Sequence, residues 1–207
     1  TETLRLGQKN GSLLALLDKC HTAMGSRMMR KWVEYPLIDR AEINKRLDYT
    51  TIFLNDYLLR KDIEECLKTV YDLERIVGRI SCGNCNAKDL AQLRKSLSNV
   101  PNLKNLLVNS NNLKLIELNN QIDSLDELYS LLESALVENP PLTLKEGGMF
   151  KPEYNETLLE LTNIKNNSRD WILNYEIAER EKTGIRTLKV GFNNVFGYYI
   201  EVSKSFI

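Results

Sequence analysis

Apolar residues recur at helical spacing through most of this chain, and only the stretch from Leu188 onward alternates like a strand. The first ten residues lack periodicity and read as a connector. "SLLALLDK", from Ser12, makes a short helix. "TAMGSRMMRKWVEYP" follows, with Thr22 as N-cap and Met24, Met28 and Trp32 recurring every four residues. Pro36 ends it, because the residue before a proline avoids the helical region. "DRAEINKRLDYTTIFLNDYLL" opens on Asp39 as cap with Glu42 three residues on, and Ile43, Leu47, Leu54 and Leu58 form its apolar stripe. Further helices are expected at "DIEECLKTV", "DLERIVGRI" and "AKDLAQLRKSLSNV". Another opens at "SLDELYSLLESALV", where Ser124 and Glu127 make an S-x-x-E capping box. The pattern predicts a bundle of amphipathic helices joined by short polar loops.

At "ENPPLTLKEGGMF" prolines and glycines interrupt the helical pattern, with "LTLK" a candidate extended segment before a turn at Gly147 and Gly148. A long helix is then expected from Pro152 to about Lys182, weakening at "KNNS" and ending on the charged turns of "EIAEREK". A helix of about 30 residues would be about 45 Å long and should protrude from a compact bundle. Gly184 is its expected C-terminal cap. Beyond it, Leu188, Val190 and Phe192 alternate with Lys189, Gly191 and Asn193. After an Asn193-Asn194 turn, Tyr198, Ile200 and Val202 alternate with Tyr199, Glu201 and Ser203. That is a hairpin with one apolar and one polar face. Two strands alone are marginal in water, so more strands are expected beyond Ile207.

Composition narrows the class without choosing a function. The 207 residues are 43% hydrophobic and 27% charged, an ordinary globular balance. No apolar run approaches the roughly 20 residues that span a bilayer. Four irregularly spaced cysteines read as reduced thiols, which makes a cytoplasmic location the expectation. The 28 basic and 28 acidic side chains cancel, so a dedicated nucleic-acid binder is disfavoured overall. The closing stretch is nevertheless locally basic, with Arg186, Lys189 and Lys204 against Glu201.

Candidate chemistry is sparse. No Walker A, dinucleotide or G-x-S-x-G motif occurs, and His21 is the single histidine. "CGNC" at Cys82 and Cys85 could bind zinc only with two more ligands, for which Cys20 and His21 are the candidates. Two small thiols in a loop between helices is the simpler reading. Glu176, Glu179 and Glu181 sit among basic residues and suit a solvated, ion-paired helix surface, Glu179 pairing Lys182 three residues on. The hairpin remains. Lys189 and Lys204 can carry charge to a phosphate backbone, while Asn193 and Asn194 can donate hydrogen bonds to it. Its alternative reading is an edge that pairs with a partner protein's sheet.

Four blocks carry a resemblance that covers nearly the whole chain: "TAMGSRMMRKWVEYPLIDRAEINKR", "YDLERIVGRI", "NPPLTLKEGG" and "EREKTGIRTLKVGFNNVFGYYIEVSK". In that order they resemble the MutS family of DNA mismatch repair proteins, bacterial members above all. The resemblance implies a mainly α fold, a multi-helix lever bundle whose long helix leads to the start of a small β-rich clamp. It implies a lever segment over residues 1–163 and the helix end with a partial clamp over 164–207. The clamp grips the backbone of double-stranded DNA, which makes Lys189, Asn193, Asn194 and Lys204 the expected contacts. The mismatch-reading and ATPase domains lie outside the matched part. No catalysis, cofactor or metal is therefore expected here, ATP and Mg belonging to the full-length family member. Expected partners are duplex DNA, the remaining domains of the longer chain and, through its ATPase domain, a second copy, with no membrane. The rival is a helical scaffold whose hairpin augments a partner's sheet.

Overall fold

The computed structural model describes residues 10–195 and 197–203, so most of the expected connector, and Lys204, lie outside the described residues. The fold is mainly helical with a small antiparallel hairpin. It divides into two compact units, one reaching Phe150 and the other starting at Lys151. This division follows packing and is a different quantity from the lever and clamp boundary that the resemblance implies.

The first unit carries nine helices among its described residues: α1 Leu13–Leu17, α2 Ala23–Glu34, α3 Arg40–Asn55, α4 Tyr57–Lys68, α5 Leu73–Ser81, α6 Ala87–Leu97, α7 Val100–Asn109, α8 Leu113–Asn120 and α9 Asp126–Ala135. Their starts follow local chemistry. Thr22 Oγ1 accepts the Gly25 N–H at 3.0 Å, and Asp39 Oδ1 accepts those of Ala41 and Glu42 at 2.7 and 3.0 Å. Asn86 and Asp89 cap α6 reciprocally. Two apolar clusters hold the unit together. Ile76, Leu93, Leu97, Leu132 and Leu136 join α5, α6 and α9, while Leu59, Leu107 and Leu115 join α4, α7 and α8.

Several sequence expectations change here. The segment expected as one helix from Asp39 through Leu59 is two, because Asp56 accepts the Leu59 N–H at 2.9 Å and starts α4. With that break the anticipated stripe loses its role. Leu47, Leu54 and Leu58 are exposed, and Tyr49, Ile52 and Phe53 pack on the second cluster instead. Ser124 does not cap α9. Asp123 Oδ1 takes the Leu125 N–H at 3.0 Å, and Leu125 occupies the N-cap position in a left-handed conformation. "LTLK" is not extended, since Leu144–Glu146 forms a 3-10 turn closed by Thr143 and Glu146. Gly147 and Gly148 do make the turn, at φ +66° and +69°, which lets Phe150 bridge back to Leu136.

In the second unit the helix expected from Pro152 to Lys182 is divided. A 3-10 turn at Pro152–Tyr154 precedes α10, Glu156–Asn166, and α11, Ser168–Thr183, begins after Asn167. Asn167 departs from helical geometry at φ −104°, ψ 24°, within the "KNNS" stretch where the apolar stripe weakens. Gly184 caps α11 as expected, at φ +73°, its N–H donating to the Arg180 carbonyl at 2.9 Å.

Candidate nucleic-acid interface

Strands β1, Lys189–Asn193, and β2, Gly197–Glu201, pair antiparallel with Val190 opposite Ile200 and Phe192 opposite Tyr198. That register puts Val190, Phe192, Tyr198 and Ile200 on one face, as their alternation predicts. Lys189, Gly191 and Asn193 share the other face with Glu201, Tyr199 and Gly197.

Three of the four expected contacts fall on or beside this polar face. Lys189 is exposed at the start of β1, with Glu201 directly across the ladder, so the patch is less basic than the lysine alone suggests. Asn193 and Asn194 are exposed at the turn. Asn193 Oδ1 accepts the Val195 N–H at 2.8 Å, closing an Asx turn and leaving its amide nitrogen as the outward donor. Lys204 lies outside the described residues. Gly191 lets the Tyr199 ring lie over β1, since a Cβ there would stand 2.6 Å from Tyr199 Cζ.

The hairpin is fastened to α11. Leu188, 4% exposed, is the one buried side chain among the described residues of this unit. Arg180 Nε donates to the Leu188 carbonyl at 2.7 Å, and Glu176 Oε2 accepts the Val190 N–H at 2.9 Å. Arg180 Nη2 meets Glu176 Oε1 at 2.5 Å. Glu176 is therefore not the solvated surface carboxylate its sequence context suggests, whereas Glu179 pairs Lys182 at 3.7 Å as expected. Below the apolar face lies a cleft of about 380 Å³, lined by residues that include Trp171, Tyr175, Val190, Tyr198 and Ile200. Trp171 and Tyr175 stack there with centroids 5.5 Å apart.

The other candidates belong to the helical unit. Cys82 is the C-cap of α5, and the Gly83 and Asn84 N–H groups return to the Ile80 and Arg79 carbonyls in a Schellman turn. Burial pushes the Cys85 thiol up from its ordinary value, opposite to what a reactive thiolate needs. Cys20 and His21 do not complete a zinc set with this pair. Among the described residues no group of three or more His, Cys, Asp or Glu converges on a metal position. His21 instead approaches Glu64 at 3.8 Å.

The fold places the chain among mainly helical proteins that carry a small antiparallel hairpin. The family follows from direct comparison: a family model described as MutS domain III matches residues 1–196, and the chain belongs to that family. It is 50% identical over 205 residues to the DNA mismatch repair protein MutS of Brevibacillus brevis, a match covering 99% of this chain and 24% of that protein. The Bacillus cytotoxicus protein of the same name is 50% identical, with 99% and 23% covered, and the Bacillus subtilis one is 48% identical, with 99% and 24% covered. The chain thus spans about a quarter of the length of these curated relatives.

Proposed function

We propose that the hairpin contacts the sugar-phosphate backbone of duplex DNA without reading its sequence, and that the helices act as the lever joining this contact to the rest of a mismatch repair protein. The observation that carries the reading is the hairpin's polar face, where Lys189, Asn193 and Asn194 lie exposed in a chain related to DNA mismatch repair proteins. A lysine ammonium supplies charge, and the Asn193 amide and turn backbone supply donors without reference to base identity. The segment performs no catalysis. Nucleotide binding, ATP and Mg, and pairing of two copies belong to the ATPase domain of the longer protein, and the lever's share is a two-state coupling between that domain and the grip on DNA. No helix among the described residues is long and apolar enough to cross a membrane. A cytoplasmic location belongs to this proposal through the DNA reading alone.

A second reading makes the hairpin an edge for another protein's sheet. Glu176 already takes the Val190 N–H on the outer side of β1, which leaves β2 as the edge for such pairing. Fluorescence anisotropy of a labelled, fully paired duplex, titrated at several salt concentrations, separates the two. The DNA reading expects affinity that falls with salt and is lost when residues 185–207 are removed. Absence of binding at low salt would overturn it, and salt-insensitive self-association would favour the sheet edge.

A further inference from the structure

Lys189 sits between two backbone groups that are each held by a side chain of α11. The Leu188 carbonyl before it accepts from Arg180 Nε at 2.7 Å, and the Val190 N–H after it donates to Glu176 Oε2 at 2.9 Å. The two side chains, one helical turn apart, close on each other at 2.5 Å. Arg180 uses Nε for the strand and Nη2 for its neighbour, and Glu176 uses Oε2 for the strand and Oε1 for Arg180, which suits a planar guanidinium and a two-oxygen carboxylate. Glu176 is also shielded, its side chain 16% exposed, so this arrangement differs from a mobile surface ion pair.

We infer that Glu176 and Arg180 are positioning residues, a bracket that fixes β1 against α11 and thereby presents Lys189 to a phosphate. The inference rests on the DNA reading above. The reason is the period of a strand. Leu188 and Val190 turn their side chains to the apolar side only in this register, and a slip of one residue would carry Lys189 inward. Two strands have little register specificity of their own, so a fixed point outside the ladder decides which residues face out. The carboxylate does not touch DNA in this account; it acts through Lys189.

The test uses the 207-residue chain and compares Glu176→Ala, Arg180→Ala, Lys189→Ala and the Glu176→Ala/Lys189→Ala double variant. DNA affinity is read against salt concentration, with circular dichroism to confirm that the helices persist. Lys189→Ala is expected to reduce the salt slope by about 1, the signature of one lost phosphate contact. Glu176→Ala and Arg180→Ala should each reduce it equally, and the double variant should fall no further. Exchange of the Val190 amide should quicken in Glu176→Ala but not in Lys189→Ala. If Lys189→Ala weakens binding while Glu176→Ala leaves affinity and slope unchanged, the bracket has no positioning role. A Lys189→Ala variant that binds like the parent would instead sink the DNA reading of this residue, and the inference with it.

Discussion

Arg27 on α2 grips Asp72, the N-cap of α5, with two parallel bonds: Nη1 reaches Oδ2 at 2.7 Å and Nη2 reaches Oδ1 at 2.6 Å. The same guanidinium also meets Glu74 through Nε at 2.9 Å. None of the residues of α2 is buried, so this fork is a principal tie between that helix and the bundle. Asp72 does two things at once, because its carboxylate also accepts the Arg75 N–H at 3.3 Å.

The hydrogen bond from Arg27 holds the Asp72 carboxyl below its ordinary value. A depressed folded-state pKa adds stability above the unfolded value of about 4, and that stability is lost as pH falls through the lower folded value. Urea unfolding of the parent and of Asp72→Asn, which keeps a good cap but not the charge, should therefore differ at pH 7. The difference should shrink below about pH 4. A gap that stays constant down to pH 2 would show that the fork adds nothing through charge.

Position within α8 should decide the cost of losing a leucine. Leu115 is 0% exposed and Leu113, two residues earlier, is 78% exposed. Leu115→Ala is expected to cost about 2–5 kcal/mol, while Leu113→Ala should stay within about 0.5 kcal/mol in urea denaturation. Equal effects would mean that the second cluster is not organised around Leu115.

Gly184→Ala should destabilise the end of α11 by about 1 kcal/mol, since an alanine Cβ is strained at φ +73°. The loss should appear as faster amide exchange over the last turn of α11, with α5 and α6 unaffected.

Gly191→Ala has a different cause and should behave differently. Its φ is outside the left-handed region, so the cost comes from the tip of the Tyr199 ring, 2.6 Å from the new methyl. The ring can swing away. A modest loss of about 1 kcal/mol or less is expected, and Tyr199→Ala should abolish it in a double-mutant cycle. A cost that persists without Tyr199 would point to the backbone instead.

Much of the architecture was legible because it is local. Thr22, Asp39 and Gly184 act within three or four residues of themselves, so their roles can be read without knowing what packs nearby. The alternation after Leu188 likewise determined which residues share a face, and the observed register keeps Val190 with Ile200 and Phe192 with Tyr198. Local signals fail where two compete. Ser124 and Glu127 spell a capping box, yet Asp123 engages the backbone first and Leu125 turns left-handed. Helices α7 and α8 are not legible in the sequence because their Asn-rich flanks resemble loop sequence, although Asn112 serves as an N-cap.

By itself, then, the sequence determined the helical class, most caps and which hairpin residues share a face, since each depends on short-range backbone geometry. Which apolar stripe is core was decided only by packing, as Tyr49, Ile52 and Phe53 displaced the expected Leu47, Leu54 and Leu58. The role of Glu176 was decided the same way. A carboxylate among arginines and lysines looks solvated in one dimension, and it becomes a strand acceptor only when the chain folds back to place Val190 against it.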